Sequence, residues 1–417
     1  MKIGVIADDF TGATDAASFI VKNGLSVLQV SGVEPNNDPL PEAEAIVVSL
    51  KTRSCEKALA ISQSLLACDW LLKQGCQQIY FKYCSTFDST SEGNIGPVTQ
   101  ALMEKLGVKS TILCPALPVN GRTVYQGNLF VYQHLLNESG MKNHPITPMK
   151  DSNIMRLMTL QTGQKTGLLN WQSIQEGEEY ASSVLESLST QGYSCIVCDA
   201  LNDRDLNIIA ELCKKHRLVT GGSGLAGALA GLQGGGSLEK DTGWCVPKRK
   251  NTGVVLSGSC SVMTNQQVAA YQKLAESYKV DVDRCIQDDN YADAIEEWIL
   301  SQTEQLYYPM VYATVGSEEL REIQSRHGSG VSDKVEALFH QLVIKLHKHG
   351  YQNFISAGGE TSGTVTQALD INKFKVGIEI APGVPWVSSL DGNINIALKS
   401  GNFGNKDFFK QAQDILL

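Results

Sequence analysis

Two adjacent carboxylates, Asp8 and Asp9, follow the apolar run 2–7 and precede Phe10-Thr11-Gly12. At the end of a strand such a pair can orient a substrate hydroxyl, accept its proton or help hold Mg2+. Asp9 or Thr11 can also simply cap the helix that follows, and Asp9 can do both. Arg53, in Lys51-Thr52-Arg53-Ser54, carries a planar fork suited to a carboxylate. Lys82, Ser85, Asp88, Ser89 and Thr90 gather a cation, a carboxylate and several hydroxyls into one segment, with Asp88 a second candidate base. That segment suits a polyhydroxylated ligand, or is a turn that satisfies its own backbone. Arg122 stands beside Asn120-Gly121, a strong hairpin signal, with 123–131 as the returning strand.

A second kind of chemistry is written in glycines. Ser356 to Gly363 reads SAGGETSG after a short apolar strand, and a helix is expected over 365–369. Gly358 and Gly359 allow a sharp bend and close approach to a ligand, and a helix start offers N–H groups and a positive dipole end. These features describe a phosphate cradle, with Glu360 placed to hold a metal ion and Thr361 beside it. The plainer reading is a tight strand-to-helix turn. Ser257-Gly258-Ser259 repeats the design after another strand, and Gly401, Asn402 and Gly404 offer one more close backbone approach. Gly222, Gly224 and Gly227 match GxGxxG, but mid-chain and without an acidic residue at the right distance, so the dinucleotide signal is weak. No GxxxxGK[ST] and no protein-kinase motif set occurs.

The elements that position these residues alternate strand and helix along the whole chain. Its 417 residues fit two or three domains, and 42% apolar with 19% charged residues is ordinary for a globular protein. The formal charge, 35 − 44 = −9, lacks the basic footprint of a nucleic-acid binder. With aspartates where a signal peptide would be apolar, and no run of about 18 apolar residues, a cytoplasmic protein without membrane partners is expected. Eleven cysteines are too sparse for a disulfide scaffold; Cys195 and Cys198 fall in a buried strand, on opposite faces, so no metal or redox role is expected of them. The glycine-rich, then charged, stretch 236–249 is the expected linker between α/β domains at 1–235 and 250–417.

Assembled in order, these segments resemble the four-carbon acid-sugar kinase family, closest to its 3-oxo-tetronate branch. The resemblance rests on IADDFTGATD, LKTRS, FKYCSTFDST, PALPVNGRT and MKNHPITPM in the first half, and on SGSCSVMTN, AGGETSG, IAPGVPW and LKSGNFG in the second. In one respect the chain departs from the broader family: Asp88-Ser89-Thr90 continues into Ser91-Glu92 where Leu-Arg-Gly is usual. The resemblance implies two three-layer, Rossmann-like α/β domains with an active-site cleft between them. The N-terminal one would bind the sugar acid through Asp8, Arg53, Lys82, Ser85 and Arg122, the C-terminal one ATP with Mg2+. Nucleotide contacts are implied at Ser257, Gly258, Ser259, Gly358, Gly359, Glu360, Thr361, Gly401 and Asn402. The implied reaction moves a phosphoryl group to the C4 hydroxyl. Arg53 or Lys82 would hold the C1 carboxylate, and Asp9 or Asp88 would take the hydroxyl proton. A homodimer is compatible with this reading. The alternatives are a threonate or erythronate kinase, an NAD(P)-dependent oxidoreductase, or a regulator that binds the acid without turning over ATP.

Overall fold

The structure, a computed structural model, describes residues 2–33, 40–143, 147–234, 252–302, 305–328 and 330–416. The expected linker, 236–249, lies outside the described residues. The chain divides into two compact units, Met1–Gly243 and Trp244–Leu417. Among the described residues no helix is long and apolar enough to cross a membrane.

The strands of the first unit are β1 (Ile3–Ala7), β2 (Val27–Ser31), β3 (Ala45–Ser49), β4 (Gln78–Lys82), β5 (Thr111–Cys114), β6 (Arg122–Tyr125), β7 (Asn128–Val131), β8 (His134–Leu135), β9 (Thr166–Leu169), β10 (Cys195–Cys198) and β11 (Leu218–Gly221). Its helices are α1 (Phe10–Lys22), α2 (Lys57–Lys73), α3 (Ile95–Leu106), α4 (Ile154–Thr162), α5 (Trp171–Gln175), α6 (Glu178–Thr190), α7 (Asp203–Cys213) and α8 (Ser223–Gly234). The main sheet is parallel, in the order β2-β3-β1-β4-β11-β5-β10-β9. Every residue of β1, β3 and β4 is buried, which is why these strands read as near-continuous apolar runs. Helix α1 packs on α8 and α8 on α7, while α2 packs on α3 and α3 on α4, so helices cover both faces of the sheet.

The structure fills in one segment, moves one turn and explains one glycine pattern. The segment 27–31, unassigned from the sequence, is strand β2, paired in parallel with β3. The hairpin turns at Gln126-Gly127, both with positive φ, and not at Asn120-Gly121, which closes a short 3-10 turn. Asp199 holds that turn, its carboxylate accepting the N–H groups of Gln126 and Gly127 at 2.8 and 2.9 Å. Such a distant partner leaves no local pattern. Finally, the glycines of the GxGxxG stretch are packing glycines. A Cβ on Gly222 would lie 2.7 Å from the Pro115 carbonyl oxygen, on Gly224 2.9 Å from that of Ala116, and on Gly227 3.1 Å from Phe19. They let α8 press on α1 and on the chain leaving β5.

The second unit holds β12 (Gly253–Ser257), β13 (Ser277–Lys279), β14 (Met310–Tyr312), β15 (Asn353–Ala357), β16 (Lys373–Ala381), β17 (Val384–Ser389) and β18 (Asn395–Lys399). Its helices are α9 (Val262–Tyr271), α10 (Val282–Gln287), α11 (Tyr291–Ser301), α12 (Ser317–His327), α13 (Val331–Lys348), α14 (Gly359–Ala368) and α15 (Phe408–Asp414). Strands β13-β14-β12-β15-β18 run parallel, and β17 and β16 add to β18 antiparallel. The antiparallel pair turns at Gly383, with φ +78. Trp386, Tyr271, Tyr308, Phe408 and Phe409 anchor the core, and the Trp386 indole N–H donates to the Ala412 carbonyl at 2.9 Å. Helix α14 begins at Gly359, six residues before the expected start, so Glu360 and Thr361 sit in its first turn.

Candidate active site

Parallel register assembles the first cluster. Ala7 on β1 lies opposite both Ser49 on β3 and Lys82 on β4. Residues leaving β1 and β3, and the last residue of β4, therefore emerge side by side at the carboxyl edge, where open α/β sheets bind ligands. The backbone locks this edge: the Asp8 N–H donates to the Lys82 carbonyl at 3.1 Å, and those of Thr52 and Arg53 to the Asp8 carbonyl at 2.9 and 3.2 Å. Asn94, just before α3, ties the Arg53 loop down by donating to the Thr52 and Cys55 carbonyls at 2.8 and 2.9 Å.

Arg53 is the hub. Its Nε and Nη2 donate to Asp8 Oδ2 and Oδ1, both at 2.9 Å, a bidentate pair. Nη2 also lies 2.8 Å from Asp9 Oδ1, and Nη1 3.7 Å from Asp88 Oδ2. Burial pushes the Asp8 carboxyl up against the pull of Arg53, and neighbouring Asp9 adds to the push. For Asp9, burial also pushes up, but Arg53, Lys82 and the Gly12 N–H outweigh it and hold the carboxyl below its usual range. Arg53 itself stays charged, since Asp8 and Asp9 outweigh its own burial.

Asp9 does serve as the N-cap of α1, its Oδ1 accepting the Gly12 N–H at 2.8 Å. Lys82 is buried, and among the described residues no carboxylate lies within ion-pair distance of its ammonium. Gly12 makes room for it: a Cβ there would sit 2.3 Å from Lys82 Nζ and 2.3 Å from Asp9 Oδ1. A Gly12→Ala chain should therefore fold, because the ends of flexible side chains can give way, yet raise KM for an acid substrate by roughly tenfold or more as both groups are displaced. Steady-state kinetics beside a thermal melt checks this.

The Asp88 loop is held from within. The Thr86 hydroxyl donates to Asp88 Oδ1 at 2.7 Å. Phe87 has a left-handed backbone, φ +55, and buries its ring edge-on against Tyr83 at 5.5 Å. Ser89 Oγ accepts from Gln161 Nε2 at 2.8 Å, and Gln161 Oε1 accepts the Gly96 N–H at 2.7 Å. A pocket with Asp8, Arg53, Asp88, Ser89 and Asn94 on its polar side and Phe81, Ile95 and Val98 on its apolar side opens here. Ser85 is half-buried nearby in sequence, and Ser91 and Glu92 are exposed. Arg122 is not drawn into this cluster: it donates to the Asn120 carbonyl, and its guanidinium lies 5.7 Å from the Tyr132 ring.

The second cluster repeats the logic on the other unit. Ala357 on β15 lies opposite Ser257 on β12 and Lys399 on β18, so three turns leave one edge together. The N–H groups of Gly258 and Ser259 both donate to the Ala357 carbonyl at 3.0 Å, and that of Gly358 to the Lys399 carbonyl at 2.9 Å. Gly358 has φ +135, and no side chain caps α14 behind it. A Cβ on Gly258 would lie 2.3 Å from Thr361 Oγ1, and on Gly401 2.5 Å from Ser259 Oγ, whereas Gly359 and Gly363 face open space. The Ser257 hydroxyl is turned inward to Thr314 at 2.7 Å, while Asn402 is exposed. Glu360 is exposed and accepts from the Ser332 hydroxyl at 3.0 Å. Behind it, Glu336 on α13 accepts from Thr361 Oγ1 at 2.9 Å; burial raises its carboxyl against the hydrogen bonds from Thr364 and Thr361, with Glu360 adding to the rise.

Among the described residues no group of three His, Cys, Asp or Glu forms a metal cage. A Mg2+ carried on phosphates needs only one or two protein carboxylates, and exposed Glu360 at an uncapped helix start fits that demand. Cys195 and Cys198 are buried thiols, Cys195 pushed up by burial to about 11. Sequence reasoning missed Gly12, Thr86, Asn94, Gln161 and Glu336. Only Gly12, beside the aspartates, carried a signal in its position.

Residues 3–229 match the family model of a sugar-binding N-terminal domain, and 254–409 that of a nucleotide-binding C-terminal domain. The chain is 52% identical to a 3-oxo-tetronate kinase of Salmonella typhimurium over 99% of each chain. It is 49% identical to that of Haemophilus influenzae over 100% of each. Among solved structures, a Salmonella typhimurium protein described as a tRNA synthase is 52% identical with a TM-score of 0.92, covering 99% of this chain and 98% of that one. A Haemophilus influenzae protein is 48% identical with a TM-score of 0.87, covering 99% of this chain and 100% of that one. This chain belongs to the four-carbon acid-sugar kinase family.

Proposed function

We propose that this chain is an ATP-dependent kinase that phosphorylates the C4 hydroxyl of a 3-oxo-tetronate, 3-dehydro-erythronate, giving the 4-phosphate. The observation that carries this is full-length identity of about half to relatives named 3-oxo-tetronate kinase. The first cluster is read as the acid site. Arg53 has its fork spent on Asp8 and Asp9, so the C1 carboxylate falls to Lys82, a buried cation with no ion-pair partner among the described residues. Asp88 takes the C4 hydroxyl proton. Among the described residues its Oδ2 has only the long contact to Arg53, whereas Asp9 Oδ1 already serves Gly12 and Arg53 and Asp9 is held low. The glycine turns at Gly258-Ser259, Gly358 to Thr361 and Gly401 are read as the phosphate site. Ser257 braces that site from within through Thr314. Bound Mg2+ would neutralise charge on the phosphates, with Glu360 as its protein carboxylate. Phosphoryl transfer asks little covalent chemistry of a protein, so positioning and charge neutralisation account for most of the work.

The test is ADP release with MgATP and a panel of 3-oxo-tetronates of both C2 configurations, D- and L-threonate and D-erythronate. Turnover confined to the 3-oxo acids, with a 4-phosphate product, is expected. Activity on a 3-hydroxy acid instead would overturn the substrate assignment, and a thermal shift with NAD(P) but none with MgADP would overturn the kinase reading.

A further inference from the structure

Lys399 is fully buried at the end of β18, where its two polar ends touch two different glycine turns. Its carbonyl accepts the Gly358 N–H at 2.9 Å. Its ammonium donates to the Gly401 carbonyl at 2.8 Å, the Ser400 carbonyl at 2.9 Å and Thr264 Oγ1 at 3.1 Å. The Gly401 carbonyl is further held by the hydroxyls of Ser261 and Thr264, both at 2.7 Å. No part of the phosphoryl-transfer scheme above uses this side chain.

We propose that Lys399 is a positioning residue of the nucleotide site: its ammonium fixes the 400–402 loop from beneath and lodges a cation behind the bound phosphates. The inference rests on the nucleotide site proposed above. The geometry explains why a lysine stands there. Gly401 can approach a ligand only if its carbonyl is turned inward, and an inward carbonyl needs buried donors. Two hydroxyls and an ammonium supply them. A hydrophobic residue at 399 would fill the space and leave the carbonyl to the hydroxyls alone.

The ammonium is also electrostatically incomplete. Among the described residues no carboxylate lies within ion-pair distance of it. Helix α9 faces it with the Thr264 hydroxyl and carries no acid or base; its one titratable residue, Tyr271, donates to the Tyr308 carbonyl. Strands β15 and β17 carry no charged residue. On α14 the nearby acid is Glu360, exposed and bonded to Ser332. Burial acts alone and pushes the ammonium down to about 7. A phosphate placed over the loop would favour the charged form, so nucleotide binding takes up a proton near neutrality.

The experiment compares the whole wild-type chain with Lys399→Met and Lys399→Arg, measuring MgADP affinity by calorimetry and KM for ATP from about pH 6 to about pH 9. Losing a charge-assisted hydrogen bond should raise both constants roughly tenfold or more in Lys399→Met, with kcat and KM for the acid little changed. Wild-type affinity for MgADP should weaken as pH rises through about 7. Lys399→Arg should restore most of the affinity and flatten that slope. Wild-type affinity in a normally melting Lys399→Met chain would overturn the proposal, as would equal losses in kcat and both KM values. Should Lys399→Met fail to fold, the slopes of wild type and Lys399→Arg decide: identical slopes overturn it. Failure of the wild type to bind MgADP at all overturns the nucleotide site itself.

Discussion

An Arg53→Met chain should lose turnover by about a hundredfold or more and melt well below the wild type. The guanidinium stands against three carboxylates, those of Asp8, Asp9 and Asp88. Removing one partner of a buried ionic group leaves charge uncompensated and costs about 3–5 kcal/mol. The misplaced carboxylates add the kinetic loss. The pH dependence gives the cause away. In the wild type, Asp9 is held low, so its stabilising share is present above the unfolded carboxylate value and lost as pH falls through the folded one. Asp8 is raised and works in the opposite sense. Without Arg53, burial dominates both, and both folded values rise above the unfolded value of about 3.9. The variant should then gain stability as pH falls from about 7 toward 5, and lose it as pH rises through the raised values. Thermal melts across that window check the sign. A variant equally stable at both ends would mean Arg53 is not what compensates these groups.

Asp88→Asn should cut turnover by about 10²–10⁴-fold while leaving MgADP affinity and melting temperature nearly unchanged. Its ion-pair contact, 3.7 Å to Arg53, is long, and the Thr86 hydroxyl can still donate to the amide oxygen. Asp9→Asn tests the same chemistry less cleanly, because Asp9 also caps α1 and sits 2.8 Å from Arg53. That exchange should cost activity and also stability, the latter through the lost Arg53 ion pair, since an asparagine caps a helix as well as an aspartate. Paired kinetics and melts separate the two. If Asp88→Asn keeps full activity while Asp9→Asn loses it beyond its stability cost, the proton goes to Asp9.

Asp8, Asp9, Arg53, Lys82 and Asp88 were legible in the sequence because each lies at or just beyond the end of an apolar run. In a parallel sheet those ends share one edge. The same rule exposed Gly258, Gly358 and Gly401, which leave adjacent strands of the second unit. Partners fixed by tertiary register were hidden. Glu336 lies on an amphipathic helix, and nothing in its spacing says that it meets Thr361. Lys399 ends a strand, and nothing in the sequence around it signals that it is fully buried. Glycine patterns are ambiguous where helix packing and ligand approach make the same demand, and the weak GxGxxG signal at Gly222, Gly224 and Gly227 turns out to be packing. The resemblance implies a substrate role for Arg122, and in the structure its guanidinium donates to the Asn120 carbonyl of the turn before it.

The left-handed backbone at Phe87 bears on how this enzyme could be re-engineered. A non-glycine residue at φ +55 costs about 1–2 kcal/mol, and deleting a buried phenyl ring costs about 3–5. Glycine would relieve the first and forfeit the second, and any bulky replacement keeps the strain. Position 87 is thus a local optimum from which no single exchange leads downhill, and the neighbouring Asp88 inherits that immobility. Diversity introduced to broaden acid specificity belongs instead at Ser91 and Glu92, which are exposed and three or four residues downstream in the same loop.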